Sequence, residues 1–73
     1  MIKRYFKLDR KNIAAVQFIL EGYENMANVT TMDSRIAVIR IAIVEDFLCE
    51  INTLLDRLKM DYSMQEVDPA GNP

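Results

Sequence analysis

The chain has 73 residues, nine basic against eleven acidic side chains and a net charge of −2, so it is one small domain with no general electrostatic pull toward nucleic acid or anionic lipid. It holds a single cysteine, Cys49, and no histidine, which excludes an intrachain disulfide and leaves too few ligands for a structural zinc. No apolar run nears the roughly 20 residues that span a bilayer, and the basic start lacks the apolar stretch of a signal peptide.

These features suit a soluble protein of a reducing cytoplasm, without metal or cofactor. A domain of this size has a marginal core, and oligomerisation is the stabiliser that the composition leaves open.

Ile2–Leu8 alternates and predicts a strand with Phe6 and Leu8 in the core. Arg4 breaks that pattern and is expected near the fraying end. Asp9 is a good N-cap for a helix over 10–21, because its carboxylate can accept a first-turn amide. Ile13, Val16, Ile19, Leu20 and Tyr23 form the apolar stripe of that helix. Phe18 lies off the stripe, either packed under a loop or free for a second contact. Gly22 is placed to end the helix in the left-handed region.

Val29–Met32 predicts a short strand, and Asp33-Ser34 a turn into the longest β-branched run, Arg35–Val44. As a strand, that run places Ala37, Ile39, Ile41 and Ile43 on one face. Ile36, Val38, Arg40, Ala42 and Val44 lie on the other, which is apolar around a single charge. Glu45 and Asp46 suit the first turn of a second helix, over 46–60. Phe47, Leu48, Ile51, Leu54, Leu55 and Leu58 make its stripe, with Cys49 on the opposite side. Tyr62–Val67 predicts a polar edge strand, closing a domain over 1–67. Residues 68–73 are expected to be a disordered tail.

The order strand, helix, strand, strand, helix, strand is the α+β pattern of a ferredoxin-like βαββαβ sandwich. It implies a four-stranded antiparallel sheet with two helices on one face. The segment Phe18-Ile-Leu-Glu-Gly-Tyr-Glu-Asn-Met-Ala-Asn-Val-Thr-Thr-Met-Asp33 resembles a small stand-alone bacterial family known as a domain of unknown function. That resemblance implies a bacterial, cytoplasmic source and assigns no chemistry. The topology is also similar to the ACT regulatory domains, which bind small molecules at dimer interfaces. Their first loop typically carries Pro-Gly; Leu8-Asp9-Arg10-Lys11-Asn12 has no glycine, so the likeness does not extend to a small-molecule loop.

No catalytic set is legible. Cys49 has no histidine to activate it. Glu45, Asp46 and Glu50 read as a solvated helix start rather than as a metal site. Two binding readings remain. In the first, the chain is a non-enzymatic homodimeric binding or regulatory module that associates through Ile36, Val38, Arg40, Ala42, Val44 and Tyr5. Another protein could take the second copy's place. In the alternative, a small RNA-binding protein uses Lys3, Tyr5, Lys7 and Arg40 on that open face.

Overall fold

The structure, a computed structural model, describes residues 1–33 and 35–73; Ser34, expected in a turn, lies outside them. The elements run β1 (Ile2–Lys7), α1 (Arg10–Glu21), β2 (Ala27–Asp33), β3 (Val38–Ile43), a 3-10 turn (Glu45–Phe47), α2 (Leu48–Asp61) and β4 (Gln65–Val67). The sheet is antiparallel between neighbours, in the order β2-β3-β1-β4. β1 and β3 are central, as the βαββαβ pattern requires, and the arrangement is the expected α+β sandwich.

Register divides the sheet into two faces. Arg4 faces Ile41 and Phe6 faces Ile39 on one; Tyr5 faces Arg40 and Lys3 faces Ala42 on the other. Ile39, Ile41 and Ile43 are fully buried with Phe6 beneath Val16 and Leu20 of α1 and Ile51, Leu55 and Leu58 of α2. Each such side chain removed from water contributes about 1.5–3 kcal/mol, so this layer holds the two helices to the sheet.

α1 matches its expected span. The Asp9 carboxylate caps it by accepting Lys11 N–H at 3.2 Å. Its end differs: Gly22 sits at φ −67°, right-handed, because the chain runs on in tight turns in which Met26 and Ala27 N–H both donate to Tyr23 C=O. A left-handed exit is found at α2 instead. Ser63 has φ 52° and Met64 N–H donates to Lys59 C=O, a Schellman closure with Met64 buried beside Leu58. That turn takes up Tyr62–Met64, so β4 is shorter than expected.

The third strand also begins later than its β-branched run suggests. Residues 35–37 form a turn, with Ala37 left-handed at φ 54°, buried, and accepting Leu8 N–H through its carbonyl. The Asp33 carboxylate accepts Arg35 N–H at 2.9 Å, an Asx turn that competes with strand extension. Asp33 is held below the usual carboxylate range mainly by this backbone bond.

Arg4 is not at a fraying end. It lies on the helix side of central β1 and grips Glu66 of β4 through two bonds of 2.8 and 2.7 Å. Its third bond goes to Asn52 Oδ1 of α2 at 2.7 Å, and its guanidinium lies 5.2 Å from the Phe6 ring centroid. The hydrogen bonds from Arg4 lower the pKa of Glu66 and raise that of Arg4. The stability from this pair is therefore present above the ordinary glutamate pKa of 4.5 and is lost as pH falls through the lowered value.

The tail, expected without fixed structure, carries a turn here. The Asp68 carboxylate accepts Ala70 and Asn72 N–H, both at 2.9 Å, and Asp68 C=O accepts Gly71 N–H at 2.8 Å. A Cβ on Gly71 would stand 3.0 Å from Ile36 Cδ1 and 3.3 Å from Val38 Cγ2, so the backbone of the tail lies on those two side chains.

Candidate functional site: the open face of the sheet

The face away from the helices is built from alternate residues of all four strands. β1 contributes Lys3, Tyr5 and Lys7; β3 contributes Val38, Arg40 and Ala42. Asn28 and Thr30 of β2 and Gln65 and Val67 of β4 flank them in register. Tyr5 is central, opposite Arg40 on one side and Val67 on the other, and is half-buried.

Of the six residues read as an apolar interface, Tyr5, Val38, Arg40 and Ala42 share this face, while Ile36 and Val44 fall outside β3. Ile36 is in the turn before β3, 38% exposed. Val44 lies just past β3, though its N–H still donates to Met26 C=O. Val38 is fully buried and Ala42 is 5% exposed within the single chain. Gly71 leans on Val38, and Ala42 sits between its register partners Lys3 and Asn28. The expected apolar stripe is thus largely covered from within.

The four residues of the alternative reading do come together. Lys3 and Lys7 are exposed at either side of Tyr5 on β1, with Arg40 directly across. The acid that shares this face by register, Asp33, is occupied by Arg35. Much of the chain's acid lies elsewhere: Glu45, Asp46, Glu50, Asp56 and Asp61 are on α2 and the turn that leads into it. A net charge of −2 conceals this division between a cationic sheet face and the acidic turn that leads into α2. Among the described residues, Arg40 Nε is a buried donor with no acceptor, an arrangement that costs free energy.

Cys49 is exposed on α2, opposite the buried stripe as expected; its carbonyl accepts Thr53 Oγ1 at 3.1 Å. Among the described residues no three potential ligands cluster for a metal. Among the described residues no helix is long and apolar enough to cross a membrane. Phe18 is 77% exposed and packs under no loop. A groove of about 300 Å³ opens between α1 and β2, lined by Gln17, Leu20, Glu21 and Glu24 and by Ala27, Asn28 and Val29. Sequence reasoning missed this groove, because nothing in residue periodicity reports how far a helix stands from an edge strand. It missed the docked tail as well, although Asp68 followed by Gly71 and Asn72 is a legible turn signal.

No curated protein and no solved structure matches the chain. The profile of one family does, over residues 6–61, from Phe6 of β1 to the last residue of α2. That span takes in the last two residues of β1, both helices and the β2–β3 hairpin, and the chain belongs to the family described as a domain of unknown function, DUF4911.

Proposed function

We propose that the chain is a non-enzymatic binding module whose working surface is the open face of the sheet, and that its partner is single-stranded RNA. The observation that carries this reading is the grouping of Lys3, Lys7 and Arg40 around Tyr5. A base stacked on an aromatic ring contributes about 1–3 kcal/mol, and flanking cations follow the phosphates. Asn28, Thr30 and Gln65 add neutral hydrogen-bonding groups to the same face.

A second reading, two copies meeting through this face, is favoured by exposed Met32 and Ile36 beside the β2–β3 turn. Against it, Val38 and Ala42 have little surface left to bury, and each copy would oppose its cations to the same cations of the other.

Fluorescence anisotropy with a labelled mixed-sequence RNA of about twelve nucleotides tests the first reading, at low salt. Binding in the micromolar range is expected, weakened about tenfold by Tyr5→Ala and made less salt-sensitive by Lys3→Gln with Lys7→Gln. No binding at low salt, together with a doubled mass by light scattering, sinks the RNA reading in favour of the dimer.

A further inference from the structure

β2 is an edge strand with nothing beyond it in the sheet. Hydrogen-bonded and non-bonded pairs alternate along an antiparallel ladder. Val44 N–H donates to Met26 C=O, in line with the β2–β3 register. Asn28 and Thr30 therefore turn their backbone groups toward β3, while Val29 and Thr31 turn theirs to the open edge. Ala27 agrees, because its N–H leaves the sheet to reach Tyr23 C=O at 2.9 Å. Native sheets guard such edges with lysine, proline or a bulge. Between Ala27 and Thr31 there is no lysine or proline, and the irregularity falls beyond that stretch, between Thr31 and Asp33.

The groove described above runs beside this edge on the helix side. Leu20, Ala27 and Val29 give it apolar surface and Glu21 and Glu24 give it charge. Neither glutamate is in an ion pair among the described residues. Phe18 precedes Glu21 by three positions and so lies on the adjoining helix surface, within reach of a cation held there. We infer that the β2 edge is a docking site for an extended peptide segment that adds a fifth strand and sends basic side chains into the acidic groove. Backbone bonds to Val29 and Thr31 hold the segment, and alternate side chains, on one face of the added strand, enter the groove. A second copy of this chain is a poorer occupant. Two-fold pairing of β2 with itself would set the partner strand's aspartate end against Glu24.

The test uses the whole chain, isotope-labelled, with a capped synthetic peptide of alternating valine and lysine and a matched peptide with glutamate for lysine. The lysine peptide is expected to slow hydrogen exchange at the Val29 and Thr31 amides about tenfold or more and to bind at least about tenfold tighter than the glutamate peptide. Glu21→Gln with Glu24→Gln should erase that preference while the amides remain protected. Unprotected Val29 and Thr31 amides at millimolar peptide overturn the inference. So do equal binding of the two peptides and protection that appears with protein concentration alone.

Discussion

Ser63 occupies the one helix exit in this chain that calls for glycine, and a serine there carries a left-handed backbone at φ 52°. An L-residue in that region costs roughly 1–2 kcal/mol, and glycine avoids the cost at the expense of a freer unfolded chain. Ser63→Gly is therefore expected to stabilise the fold by about 0.5–1 kcal/mol, read as a higher thermal midpoint; an unchanged or lowered midpoint refutes the strained-cap account. Arg4 teaches the opposite lesson about single residues. A charged side chain at a core position of a strand looks like an error in the alternation, yet its acceptors, Asn52 and Glu66, come from remote parts of the sequence. Local pattern carries no trace of them. Gly22 and Ser63 exchange the roles that residue type alone assigns, because the exit geometry depends on where the chain must go next.

The helices were the most legible elements, since the stripes Ile13, Val16, Leu20 and Ile51, Leu55, Leu58 are the residues the structure buries. Strand limits were less so. β-branched residues continue through Ile36, but the Asx turn at Asp33 and the left-handed Ala37 outweigh propensity there. The tail is an element that composition hides, with its aspartate and glycine doing locally what apolar anchors do elsewhere. Gly71 has φ 89°, and a Cβ there would crowd the side chains of Ile36 and Val38. Gly71→Ala should lift residues 68–73 from the sheet at a cost of about 1 kcal/mol and leave the helices intact. Methyl NMR reads this directly: the Val38 methyl signals should move while far-ultraviolet circular dichroism stays constant, and unmoved methyl signals would mean that the tail was never on Val38.

At the scale of the molecule, the two faces of the sheet were readable from alternation in β3, and the helix-covered core followed from them. What covers the other face was not readable, because a covered valine and an exposed one look alike in sequence, and charge division between layers appears only when four strands are set side by side. The same strand order has a consequence in time. β2 and β3 are joined by a short turn, whereas Arg4 and Glu66 on β1 and β4 are 62 positions apart. Closing the long loop costs more entropy before any contact rewards it, so the hairpin forms early and the β1–β4 seam is sealed last. Val29→Ala should then slow folding, while Val67→Ala, which removes a buried side chain from the seam, should chiefly speed unfolding. Stopped-flow chevrons of the two variants separate these limbs, and a slowed folding limb for Val67→Ala would place the seam in the nucleus. A seam that closes last is also the first to open, so the native chain departs from its folded state by releasing β4, with the tail, before any helix loosens.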